Sequence, residues 1–484
     1  MKKTAFILCF AFLLTFSVGA FGCENKKPQR SVYQIQCEFE DNILTGKETV
    51  EVFNHSENPI DTLKFNLFGN AFRKDAKHSP ISAQYLSKAY PNGVNYGGME
   101  IISVNDGVEK LEFSICGEDQ NILEVKLMEN LFPDERLTLI IDYKLEIANV
   151  VARTGYNADT VNLGNFYPIL CALEDQGFYE CVYYANGDPF YSDCSDYTVT
   201  LTTDKKYVTA SSGKKLSESV SGNKVTCTYS IENARSFALV LSEKFKIKTD
   251  TTLGTEINYY YYDDQTPEKS LEYAIRSIQT FNELYGDYIY KNYSVVQTEF
   301  VQGGMEYPAL VMISDDLIGN EYGEVIVHET AHQWWQTAVG NNEIEYGFLD
   351  EGLAEYSVVA FFEKYPEYGM TREDMVNSAT MTYRVYCSVY DKIFGKVDTS
   401  MIRSLDEYKG EYEYVNIAYI KPCIMYETLR QSIGDKLFFN SLKKYYSKYK
   451  YLNATPEDLV GAFEKTGADT NGFFDSFFNG KAII

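Results

Sequence analysis

The chain has 484 residues, 45% of them hydrophobic, so it can bury more than one core and divide into roughly two to four domains of ordinary size. With 69 acidic against 44 basic side chains its formal charge is −25. That argues against docking on nucleic-acid phosphates or on anionic lipid surfaces, both of which call for clustered Lys and Arg, and no nucleic-acid partner is expected.

The chain opens with Lys2 and Lys3, an apolar run to about Val18, and the small residues Gly19, Ala20 and Gly22. This reads as an export signal over 1–22, too short for a comfortable membrane-spanning helix. Two ends are open to it. Val18-Gly19-Ala20 suits ordinary cleavage and secretion, whereas Ala20-Phe21-Gly22-Cys23 resembles a lipobox with lipid attached at Cys23. We favour the second, with the polar residues 23–30 as a tether and the protein anchored to the outside of the cell membrane. Beyond Cys23, eight cysteines remain, an even number that allows disulfides in an exported chain; Cys171, Cys181 and Cys194 lie close enough in sequence for one bridge, and buried free thiols are the other reading.

From residue 31 apolar and polar residues alternate. Tyr33, Ile35, Cys37 and Phe39 form the first such strand, and the pattern returns at Leu111 to Ile115, Leu137 to Ile147, Tyr197 to Leu201 and Phe237 to Leu241. Residues 31–248 therefore read as a β-rich domain. The period then changes: Thr266 can cap a helix with Pro267 at its first position, an apolar stripe of Leu271, Ala274, Ile275, Ile278 and Phe281, and a stop at Gly286. Strand-like runs follow at Tyr293 to Phe300 and Ala309 to Ile313, and helices dominate from Glu321 onward. Residues 249–484 read as a second domain, mixed α/β and then mostly α, so the fold class is α+β.

The spacing predicts a helix over Glu321 to Val339, ending at Gly340, and it carries His328-Glu329-Thr330-Ala331-His332. Side chains four apart share a helix face, so His328 and His332 can grip one zinc ion, and Glu329 reaches the open coordination position. The next candidate for a third ligand is Glu351, in Phe348-Leu349-Asp350-Glu351-Gly352, on a helix that Pro366 should end. Two His and one Glu leave a position for water, the arrangement of a catalytic rather than a structural site. Glu355, one turn further on, can orient a ligand imidazole or simply be solvated.

His332, eighteen intervening residues and Glu351 within FLDEGLAEY, together with HQWW, GGMEYP and AYIKP, resemble the aminopeptidase N family of zinc metallopeptidases, gluzincins with a thermolysin-like catalytic domain. The resemblance implies a saddle-like β-domain ahead of that catalytic domain. It implies that Gly303, Gly304, Met305 and Glu306 form the substrate-binding loop, with Glu306 receiving a free amino terminus, and that Tyr419 donates to the oxyanion of the tetrahedral intermediate. The sequence departs from the family at Tyr307, where Asn is commonest, and at Pro422, where Gly is usual. The expectation is a one-zinc aminopeptidase acting on peptides outside the cytoplasm. The alternatives are an endopeptidase on the same scaffold and a lipid-anchored binding protein without activity.

Overall fold

The computed structural model describes residues 29–482 and 484; the expected signal at 1–22, Cys23 and all but the last two residues of the tether lie outside them. Among the described residues no helix is long and apolar enough to cross a membrane.

Strands Val32–Glu40 and Ile43–Phe53 form a hairpin whose two turn residues, Asp41 and Asn42, adopt φ of 52° and 61°. Both residue types tolerate the left-handed conformation that a two-residue hairpin turn demands. Tyr33, Ile35, Cys37 and Phe39 point into the core, as their alternation requires. The hairpin lies within a seven-stranded sheet, in the order 214–221, 224–234, 195–204, 32–40, 43–53, 136–146, 98–105. Two four-stranded sheets and a two-stranded one, Leu173–Glu174 with Gly177–Phe178, complete the amino-terminal domain. One of the four-stranded sheets contains Val161–Gly164. Asn162 on that strand donates to Glu299 O at 3.0 Å and accepts from Thr298 Oγ1 at 2.6 Å, which fastens the two domains together.

The second domain begins with a five-stranded sheet in the order 246–252, 255–261, 292–298, 310–314, 304–305. Thr255–Tyr261 and Asn292–Thr298 are parallel, and the helix Pro267–Leu284 makes the crossover that parallel pairing needs. That helix starts where expected, but Thr266 makes no side-chain capping bond; Asp264 fixes the entry to the helix, accepting from Thr266 N at 2.7 Å and Ser270 Oγ at 2.6 Å. The expected boundary at 248 falls inside the strand Lys246–Thr252, which is exposed for most of its length and so carries no apolar period to mark its start. Helices follow at Gly319–Ala331, Phe348–Lys364, Arg372–Phe394, Lys421–Ile433, Asp435–Tyr449 and Pro456–Glu464, giving an α+β architecture of a β-rich domain followed by a mixed and then mostly helical one.

The eight cysteines in the described residues are free thiols, so the bridge considered among Cys171, Cys181 and Cys194 is not formed. All three are buried and behave as small apolar side chains; the Cys181 thiol lies 3.7 Å from the Tyr191 carbonyl.

Candidate metal and peptide site

The helix that carries His328 and Glu329 ends at Ala331, eight residues short of the expected Val339, with His332 as its C-cap. Past that point the backbone tightens into turns, with Trp334 N bonded to Ala331 O at 2.9 Å and Gln336 at φ 105°. The early stop has a chemical consequence. In a continuing helix the Trp335 carbonyl would accept from residue 339; here it accepts from His332 Nδ1 at 3.0 Å. With the proton on Nδ1, the Nε2 lone pair of His332 is free to coordinate. The turn also buries both indoles in different places, Trp334 donating to Gly286 O at 2.8 Å and Trp335 to Ser357 Oγ at 3.2 Å.

Glu351 lies in the first turn of Phe348–Lys364, the helix that packs against the motif helix. Three atoms converge: His328 Nε2 and His332 Nε2 are 3.1 Å apart, and each is 3.2 Å from Glu351 Oε2. Ligands on one tetrahedral zinc with bonds of about 2.0–2.1 Å stand about 3.3 Å from one another, so these residues fit that ion. His328 is oriented from behind by Glu355, whose Oε2 is 3.3 Å from Nδ1, so Glu355 takes the orienting position rather than standing free in solvent. Burial disfavours charge on His328, but its bonds to Glu351 and Glu355 outweigh that and lift its pKa to about 10. For Glu351 burial acts upward, and the two histidines overcome it, holding the carboxyl well below its usual range. The pocket as a whole attracts positive charge.

Glu329 is buried beside the ligands, with Oε2 free of any hydrogen-bond partner. Burial raises its pKa, the two histidines lower it, and the balance is about 7, a value suited to a general base. Gly303 and Gly304 serve it for different reasons. Gly303 takes φ 80°, and Gly304 leaves room for the carboxylate, since a Cβ there would lie 2.1 Å from Glu329 Oε1. Gly304–Met305 is the edge strand of the sheet, antiparallel to Leu310–Ser314, and Glu306 follows it directly. Glu306 is buried within reach of His332 and Glu329.

Tyr307 is 2% exposed and packs on Gly164 of the amino-terminal domain, where a Cβ would fall 1.9 Å from its hydroxyl oxygen. Its backbone is held by Gln333, which donates to Tyr307 O at 3.1 Å and accepts from Ala309 N at 2.8 Å. The departure from Asn therefore fills a gap between domains.

Tyr419 lies on Val415–Ile420, a stretch wound as a π-helix in which the Lys421 N–H bonds to Asn416 O, five residues back. Pro422 has no N–H to return to the carbonyl four residues before it, and the wider turn accommodates that loss. Gly352 in turn lets the two helices close up, because a Cβ there would be 2.3 Å from Pro422 Cβ. The Tyr419 hydroxyl donates to Glu351 Oε1 at 2.5 Å. Burial, then the charge of Glu351, keeps its pKa well above the ordinary phenol range, so it remains a donor.

Four residues at the site went unread in the sequence. Arg153 and Asp188, from the amino-terminal domain, are hydrogen-bonded to each other, and Arg153 Nε lies 3.0 Å from Met305 Sδ. Glu343 and Asp350 are buried beside Glu306. Asp350 stands next to Glu351, and Asp188 opens DPFYSDCSDYTVTL, a stretch that resembles the family's region facing the active site; Arg153 and Glu343 have no local spacing that could have singled them out.

Residues 269–477 match a family profile described as the Peptidase family M1 domain. Aminopeptidase M1-A of Oryza sativa subsp. japonica is 25% identical over 239 residues, which are 45% of this chain and 26% of that protein. Aminopeptidase N of Haemonchus contortus is 22% identical over 305 residues, 57% of this chain and 30% of that protein. The matched stretch thus spans between a quarter and a third of these relatives' length. The crystal structure of an M1 zinc metallopeptidase from Deinococcus radiodurans superposes with a TM-score of 0.66 at 16% identity, covering 94% of this chain and 96% of that one. The family profile thus falls on the domain that holds His328, Glu329, His332 and Glu351, and over that domain the chain is similar to peptidase family M1.

Proposed function

We propose that this chain is a one-zinc peptidase that removes residues from the free amino ends of peptides. The observation that carries the reading is the convergence of His328 Nε2, His332 Nε2 and Glu351 Oε2 to within 3.2 Å of one another, with Glu329 and Glu306 beside them. His328, His332 and Glu351 would hold the zinc, which when bound polarises a carbonyl and acidifies water. Glu329 accepts a proton from the attacking water and returns it to the departing amine, for which its raised pKa fits it. Tyr419 supplies a hydroxyl donor to the developing oxyanion. Glu306 pairs with the substrate's ammonium and fixes how far the chain enters, and the free edge of Gly304–Met305 offers backbone groups to an extended peptide. A neighbour of similar fold was crystallised with a Tyr-Ser-Ala substrate, which agrees with a short peptide as the substrate class.

A dipeptide amide with a free amine, assayed against its acetylated twin, tests the assignment. We expect hydrolysis of the first alone, abolished by a chelator, with one zinc per chain. Equal rates on the two would remove the amino-terminal reading and leave an endopeptidase. We also propose, from the first 23 residues of the sequence, that the enzyme works outside the cytoplasm and is tethered by lipid at Cys23. Labelling with a radioactive fatty acid, lost in Cys23→Ser, checks it.

A further inference from the structure

Behind His332 lies a group of three carboxylates of which the proposed reaction uses Glu306 alone. Glu306, Glu343 and Asp350 each offer an oxygen within 4.8 Å of the other two, and they are 3%, 3% and 2% exposed. They come from three elements: Glu306 from the end of the edge strand, Glu343 from the short turn Glu343–Tyr346, and Asp350 from the first turn of Phe348–Lys364. The fold has brought them together from separate stretches of chain.

Their hydrogen bonds are incomplete. Asp350 Oδ1 accepts from Asn341 Nδ2 at 2.9 Å, its Oδ2 stands 3.9 Å from His332 Nδ1, and Gln336 reaches Glu343. Glu306 Oε1 and Glu343 Oε2, however, are shut off from solvent with no partner at all. The charges are equally unbalanced. Asp188 has Arg153, and Glu351 has the two imidazoles, but among the described residues no Lys or Arg pairs with Glu306, Glu343 or Asp350. Three carboxylates that share only His332, and Arg153 at longer range, as counter-charge in a space closed to water are far more costly than a missing hydrogen bond.

We propose that Glu306, Glu343 and Asp350 form a second cation site, distinct from the His328–His332–Glu351 centre, that takes a hard divalent ion of the calcium or manganese kind. The donor set is all oxygen, which such ions prefer and which zinc with its nitrogen-rich centre does not need. Two positive charges against three negative ones leave a single negative charge, what Glu306 requires to receive an ammonium. The ion would also brace Asp350 behind His332. The proposal rests on this cluster and not on the peptidase reading, so counting metal tests it separately from activity.

Zinc-loaded wild-type protein, stripped of other ions by dialysis and titrated calorimetrically with calcium or manganese in moderate salt, reports the site without any variant. One saturable equivalent per chain is expected, counted apart from zinc by elemental analysis, with a rise in Tm at saturation. Glu343→Gln should keep its zinc and lose at least about tenfold in affinity for the second ion. Absence of a saturable equivalent in the wild type overturns the proposal and assigns the cluster to shared protons. An equivalent that persists unchanged in Glu343→Gln overturns it too, as ions gathered by the acidic surface. Two zinc ions and no calcium or manganese would reject the hard-ion assignment.

Discussion

The two walls of the cleft are built in different ways. One is helical: His328, Glu329, His332, Glu351 and Glu355 sit on two packed helices, and their positions follow from helical spacing. The other belongs to the amino-terminal domain, where Arg153, Gly164 and Asp188 approach from strands and loops and are joined to the catalytic side by single contacts such as Arg153 to Met305 and Gly164 to Tyr307. The difference teaches that the chemistry of this cleft is locally encoded, whereas its shape depends on how two domains dock.

The largest effect is expected on the helical wall. Glu329→Gln should leave zinc content and Tm unchanged while turnover falls by several orders of magnitude, since the amide keeps the shape and cannot take a proton. Retained turnover, measured with zinc quantified in the same sample, would end the role of Glu329 and the claim that this wall holds the chemistry.

Next is the docking of the domains. Arg235 is 3% exposed and donates to Gln336 O and Leu452 O at 2.7 Å each and to Ser192 O at 2.9 Å. Arg235→Met leaves the Gln336 and Ser192 carbonyls without that donor, Leu452 O keeping only Gly340 N, and should destabilise the protein by about 3 kcal/mol or more, read from denaturant midpoints. Separate unfolding of the two domains in the variant would sharpen the comparison further. Unchanged stability would show that the docking lies elsewhere.

Gly164→Ala probes the same wall more gently. The added methyl collides with the Tyr307 hydroxyl, and a cost of about 2 kcal/mol is expected, with KM raised more than kcat is lowered because the Glu306 loop shifts. An effect on kcat alone would contradict a purely shaping role.

The smallest effect lies far from the cleft. Glu48 is fully buried in the large sheet with neither oxygen bonded, and burial holds its carboxyl well above the usual range. A carboxyl raised in the folded state contributes stability below its unfolded pKa, and that contribution is lost as pH rises toward the folded value. Glu48→Met should therefore match the wild type near pH 4 and exceed it by roughly 1 kcal/mol at neutral pH. Equal pH dependence in the two proteins would show that Glu48 is not a buried liability.

The sequence by itself singled out His328, His332 and Glu351 as candidate zinc ligands, Glu329 as candidate base, and the succession of a β-rich and a helical domain. Spacing of four on a helix, alternation along strands and short motifs are all local quantities. It placed Gly303, Gly304, Met305, Glu306 and Tyr419 by resemblance, and the structure puts Glu306 and Tyr419 beside the histidine pair. It missed the end of the motif helix at Ala331, because the turns that follow bury Trp334 and Trp335 against Gly286 and Ser357, contacts distant in the chain that no propensity reports. Only the tertiary structure decided that Tyr307 fills the seam against Gly164, that a π-turn ahead of Pro422 carries Tyr419, and that Glu343 and Asp350 meet Glu306 in one dry pocket. Each of these joins residues distant in the chain or turns on packing between elements, and the physical cost of a clash, an unpaired carbonyl or an unneutralised charge exists only once the chain has brought them together.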